Sequence, residues 1–165
     1  MVSRYILAAV LSLGLVSVVM AASSRSTSVP EKVVSTFDIA EKAVKAGDYK
    51  RAIPLLKQVI AKNPNHYDAL NYLGFSHRQL DENDIALGYY KKVLAMNPDH
   101  RGANEYLGEL YLKEGKLELA NKQLATLDKL CFFGCKEFDD LKAAIEVYSA
   151  GGGFTGFSKQ PQSAN

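Results

Sequence analysis

Two stretches of nearly identical sequence lie 34 residues apart in the middle of the chain: Lys62–Gly74, KNPNHYDALNYLG, and Met96–Gly108, MNPDHRGANEYLG. The step of 34 also relates further positions before and after them: Ile39, Leu73 and Leu107; Ala40, Gly74 and Gly108; Ala52, Ala86 and Ala120; His66 and His100. A fixed period of this length over three units is the sequence signature of a repeat protein.

Each unit is predicted to contain two helices, because its apolar and small residues recur at steps of three and four. Helix breakers stand between the two predicted helices at residues 46–48, 81–84 and 115. The pairs Asn63-Pro64 and Asn97-Pro98 close the first two units, since proline cannot continue a helix. We expect Asn65 and Asp99 to cap the first helix of the units that follow.

The order of residue types within a unit resembles the tetratricopeptide repeat family: a Leu-Gly or Ile-Ala pair, then aromatic and small residues, then a closing proline. Unit two has the pattern at Leu73-Gly74, Ala86, Tyr90 and Pro98, unit three at Leu107-Gly108, Tyr111 and Ala120, and unit one at Ile39-Ala40, Ala52 and Pro64. The chain lacks the family's tryptophan, and Phe132 stands where a third closing proline would fall. The resemblance implies an all-α domain over residues 33–150, a right-handed superhelical array of units 33–66, 67–100 and 101–131.

A further helix is predicted after the third unit. Phe138, Leu141, Ile145 and Tyr148 follow one another at steps of three and four and form one apolar stripe. Since a repeat array needs a terminal element with one polar face, residues 136–149 are predicted to be a capping helix. Residues 151–165 are predicted to be a disordered tail.

The amino-terminal residues have the layout of a secretory signal peptide: Arg4, an apolar run from Tyr5 to Ala22, and small residues around Met20. We predict cleavage after Ala21 or Ala22, which assigns residues 1–21 to the signal and 22–32 to a flexible segment. The alternative is an uncleaved membrane anchor. Export from a bacterium would place the chain in the periplasm, or outside the cell.

The only two cysteines, Cys131 and Cys135, lie between the third unit and the capping helix. In an exported protein, we expect them to form a structural disulfide. A thiol-redox site or a copper carrier is the alternative, although no His or Met nearby completes a metal site. His66 and His100 are predicted to be surface or capping residues, and His77 a core or half-core residue.

The function is expected to be interaction with another protein rather than catalysis. The 20 Lys and Arg residues nearly balance the 18 Asp and Glu, and no basic cluster suggests nucleic acid or a membrane surface. The sequence indicates no cofactor, no metal site, no catalytic residues and no particular oligomeric state.

The family resemblance implies a concave groove, lined by the first helix of each unit, that binds a peptide or a partner helix. We expect Phe75 to be the main apolar contact in the groove. The residues projected into it are Phe37, Glu41, Lys45, Asp68, Asn71, Phe75, Arg78, Gln79, Glu105, Glu109, Leu112 and Lys113.

Overall fold

A computed structural model describes residues 34–154 and 156 of the 165-residue chain. The predicted signal peptide, the segment 22–32 and most of the predicted tail lie outside the described residues.

The described residues form consecutive helices and no strand, which confirms the all-α prediction. The first helices are α1 (Thr36–Lys45), α3 (Tyr67–Gln79) and α5 (Arg101–Lys113), and the second helices are α2 (Tyr49–Lys62), α4 (Asn83–Met96) and α6 (Leu117–Leu130). Helix α7 (Lys136–Val147) follows and runs into a single π-helical turn, Tyr148–Gly152. Within this part of the chain, none of the helices is both long and apolar enough to cross a membrane.

The two helices of each unit are joined by three-residue turns with one residue in the left-handed region. That residue is Gly47 in unit one, Asp81 in unit two and Gly115 in unit three, with φ of 78°, 61° and 73°. These positions are also 34 residues apart. Glycine adopts positive φ at little cost, and aspartate tolerates it better than most residues. The turn therefore repeats with the period of the sequence and folds each pair of helices into a hairpin.

The first helices of units two and three are capped by histidines. The Nδ1 atoms of His66 and His100 accept hydrogen bonds from the backbone N–H groups of Ala69 and Ala103, at 3.3 and 3.1 Å. The prediction that Asn65 and Asp99 supply these caps is wrong, because the helices begin one residue later than that prediction requires. His100 is buried, and its ring therefore serves as both cap and core residue.

Consecutive helices pack against each other along the array, and α7 packs on both α5 and α6. Glycine allows close packing at two points. A Cβ atom at Gly74 would collide with the ring of Tyr90 on α4, and one at Gly108 would collide with the side chain of Leu141 on α7. The nearest side chains at these two points are therefore a tyrosine and a leucine.

The carboxyl-terminal end of the array has its own apolar cluster, built from Leu112, Ala120, Leu127, Leu141 and Ile145. Phe154 packs against this cluster. The packed part of the chain thus runs to Phe154, four residues beyond the predicted end of the domain.

Candidate interaction surface of the first helices

The structure divides the twelve projected groove residues into two groups of six. Buried are Asn71, Phe75, Arg78, Glu105, Glu109 and Leu112. Half-buried or exposed are Phe37, Glu41, Lys45, Asp68, Gln79 and Lys113. The expectation that the first group is open to a partner is therefore wrong for this structure, while the binding of a partner stays a prediction.

Phe75 is a core residue. Its ring centroid lies 5.2 Å from that of Tyr106 on α5 and 6.0 Å from that of Tyr49 on α2. Helix geometry explains why Phe75 lies in the core instead of in the groove. Successive residues of an α-helix are rotated by about 100°, so Phe75 lies about 100° around α3 from Gly74. Gly74 faces α4, and Phe75 consequently turns toward the next unit.

Arg78 joins units two and three in the interior. Its guanidinium carbon lies 4.4 Å from the ring centroid of Tyr106 and 4.9 Å from that of Phe75, and the group is ion-paired with Glu109. Burial opposes the charged form, but the Tyr90 hydroxyl and the Glu109 carboxylate raise the pKa of Arg78 above its usual value. The guanidinium thus remains charged, held by one carboxylate and two aromatic faces.

Glu105, one turn before Glu109 on α5, is buried without a hydrogen bond to either carboxylate oxygen. Burial, together with the nearby carboxylates Glu109 and Asp140, raises the pKa of Glu105 to about 9, against the opposing charges of Arg78 and Lys136. The side chain is therefore protonated and neutral at pH 7 in the folded state. The sequence gives no signal for this, since the effect depends on neighbours from three different helices.

Two half-buried residues of the projected groove, Phe37 and Glu41, link units one and two. The Tyr72 hydroxyl donates a 3.0 Å hydrogen bond to Glu41, and the Phe37 ring stacks on that of Tyr72 at 5.8 Å between centroids. His66 also lies against Phe37, with ring centroids 4.4 Å apart. Side chains of adjacent first helices thus reach across to one another, which fixes the relative position of the units.

The predicted groove residues that remain accessible include one row with the period of the array. Lys45, Gln79 and Lys113 occupy equivalent positions at the ends of α1, α3 and α5, and each is exposed or half-buried. Lys45 pairs with Glu41 at 2.9 Å and Lys113 with Asp81 at 3.2 Å. Ion pairs at a solvated surface are weak, about 0–1 kcal/mol, so a ligand can replace them.

The two cysteines are joined in a disulfide, with their Cα atoms 5.4 Å apart. Neither sulfur is available as a thiolate in this state, which does not favour the redox or copper-carrier alternative. Nor does any group of three potential metal ligands among His, Cys, Asp and Glu come together in the described residues.

Comparison with known families gives two matches, both to models described as tetratricopeptide repeat. One covers residues 43–87 and the other residues 76–126, so that together they run from α1 into α6. No curated protein matches the chain.

Proposed function

Because the chain belongs to the tetratricopeptide repeat family, whose repeats generally mediate protein–protein interaction, we propose that it is a non-catalytic adaptor of the bacterial periplasm. It binds an extended peptide segment of a partner protein across the first helices of its three units.

The row formed by Lys45, Gln79 and Lys113 is the observation that carries this proposal. It offers two ammonium groups and one amide from equivalent positions on three neighbouring helices. Packed helices lie about 8–10 Å apart. An extended peptide advances about 3.3 Å per residue, so every third residue of it meets the next unit. Since Lys donates hydrogen bonds and carries positive charge, the peptide that fits best has acidic residues at a spacing of three.

The location in the periplasm rests on the amino-terminal sequence, Arg4 followed by the apolar run and the small residues around Met20. We expect the exported chain to begin at Ala22 or Ser23 and to be recovered in the periplasmic fraction. Sequencing of its amino terminus after fractionation tests this, and an intact Met1 in washed membranes would contradict it.

The binding proposal is tested by co-purification from the native envelope with chemical crosslinking. The double variant Lys45→Glu/Lys113→Glu reverses both charges of the row, and we expect it to lose the partner captured by the wild type. The matched control is Lys91→Glu/Lys92→Glu on exposed positions of the second helix α4. Capture that survives the first pair of changes and is lost with the second would place binding on the second helices and refute the proposal.

A further inference from the structure

The loop between α6 and α7 exposes two adjacent phenylalanines. Phe132 is 84% and Phe133 98% solvent-exposed, and their rings meet edge to face with centroids 5.0 Å apart. The disulfide closes the loop on both sides of them, and Gly134, at φ +85°, makes the turn. Since ordering a flexible loop opposes binding, a loop closed in this way is preorganised. We call Phe132 and Phe133 the aromatic knob.

At the opposite end of the array, one flank of α1 is not covered by any other helix that the structure describes. In α3, α5 and α7 the same flank is covered by the preceding second helix, as packing of α2 on α3, α4 on α5 and α6 on α7 shows. No second helix precedes α1 among the helices that the structure describes. The result is visible at Ile39, which is 39% exposed, while its equivalents Leu73 and Leu107 are buried.

This open flank holds a cavity of about 450 Å³, which we call the α1 pocket. Val34, Ile39, Ala43 and Ala46 supply its apolar wall, and its rim carries both signs of charge, from Asp38, Lys42, Asp48 and Arg51. Val34 is 61% exposed. Four of the six large apolar side chains that are most exposed in the described chain thus belong to the aromatic knob or to the α1 pocket.

We propose that the aromatic knob of one copy of this chain docks in the α1 pocket of a second copy. The two surfaces are both apolar and lie on different parts of the same molecule, so the contact is head-to-tail and leaves a free knob and a free pocket at the two ends. Phenylalanine has no polar atom, which suits a dry pocket better than the water-rich interface of a membrane, where Trp and Tyr are preferred. The charged residues that flank the knob in the sequence are Asp128 and Lys129 before it and Lys136 and Glu137 after it; they are of mixed sign, like those of the rim, and form no basic patch for anionic lipid.

The expected strength of this contact follows from its size. Two buried aromatic side chains remove about 300–500 Å² of surface from water on one partner, and stable interfaces bury about 1,200–2,000 Å² in total. The knob and pocket alone therefore form a weak contact, which populates at high protein concentration and assembles into short chains.

Sedimentation velocity of the purified exported chain, over a concentration series up to the millimolar range, tests the proposal. We expect a weight-average mass that rises with concentration. Both the knob variant Phe132→Ser/Phe133→Ser and the pocket variant Ile39→Lys should lower the association constant at least tenfold. Ile85→Lys, the same change at an exposed apolar position of α4, should leave association unchanged. A second pocket variant, Ala46→Arg, fills the pocket at an exposed position and should act like Ile39→Lys.

The decisive arm mixes the knob variant, whose pocket is intact, with the Ile39→Lys variant, whose knob is intact. Each alone should self-associate at least tenfold more weakly than the wild type, and the mixture should form a one-to-one dimer that does not grow further. A wild-type chain that remains monomeric throughout the series would overturn the proposal. So would self-association that neither variant changes, or a mixture that remains monomeric, or a knob that binds phosphatidylcholine vesicles while the chain does not self-associate.

Discussion

Replacing glycines of the array by alanine, one at a time, tests the packing of the helices quantitatively. At Gly74 a Cβ atom would lie within 2.9 Å of three ring atoms of Tyr90. That ring is fully buried and packs against Tyr106, so it has no room to retreat. Overpacking typically costs about 1–3 kcal/mol. Alanine is up to about 1 kcal/mol more favourable than glycine in a helix, which offsets part of this cost, so we expect Gly74→Ala to lower the free energy of unfolding by up to about 2 kcal/mol.

Two other glycines calibrate this result. At Gly108 a Cβ atom would lie 2.6 and 2.8 Å from the terminal carbons of Leu141, which can rotate, and we expect a smaller loss than at Gly74. The larger change Gly108→Leu leaves no such escape and should destabilise strongly. At Gly88, exposed on α4, nothing lies within 4 Å, and alanine should raise the free energy of unfolding by about 0.5–1 kcal/mol.

Urea denaturation followed by circular dichroism measures the three differences on the same protein. The expected order of stability is Gly88→Ala, wild type, Gly108→Ala and Gly74→Ala. If Gly74→Ala proved as stable as Gly88→Ala, α3 and α4 would not approach as closely as the structure has them.

Three further predictions concern the interior charges and the disulfide. The pKa of Glu105 is about 9 in the folded state, above its value in the unfolded chain, so its contribution to stability is fully present below pH 4.5 and is lost as the pH rises. Denaturation between pH 5 and 8 should therefore show that the free energy of unfolding declines by up to about 1.4 kcal/mol per pH unit, and Glu105→Gln should flatten this decline. Arg78→Glu should cost about 3–5 kcal/mol because it leaves Glu109 buried without its partner, and an unchanged melting temperature would show that the pair is not buried. Cys131→Ser should lower the free energy of unfolding by about 2 kcal/mol under oxidising conditions and make no difference in the presence of dithiothreitol.

The period of the sequence predicts the architecture well because the residues that fold each unit into a helical hairpin lie within that unit. The residues that decide a hairpin, such as Gly47 and Gly115 at the left-handed turns, are local to the unit and recur with it. The residues that cap α3 and α5 were not predicted correctly, since a histidine ring rather than an Asn or Asp side chain accepts the hydrogen bond in each case.

The projection of the groove was less successful for a different physical reason. It carried the family's groove positions onto each first helix separately, whereas the burial of a side chain depends on the neighbouring unit. Phe75 and Arg78 point toward α5, where Tyr106 and Glu109 receive them, and that contact has no signature within a single repeat. The sequence does not predict the exposure of Phe133 either, because an apolar residue next to a disulfide can lie in a core as readily as at a surface.

Site-specific photocrosslinking in the native envelope tests most directly whether the first helices bind a partner. A photoreactive residue is placed at Gln79 in the centre of the row, and in separate chains at Lys91 on α4 as the control. We predict a crosslinked partner protein from position 79, competed by an excess of a peptide with acidic residues at every third position, and none from position 91. Crosslinks from position 91 alone would contradict the account, since the partner would then lie on the second helices.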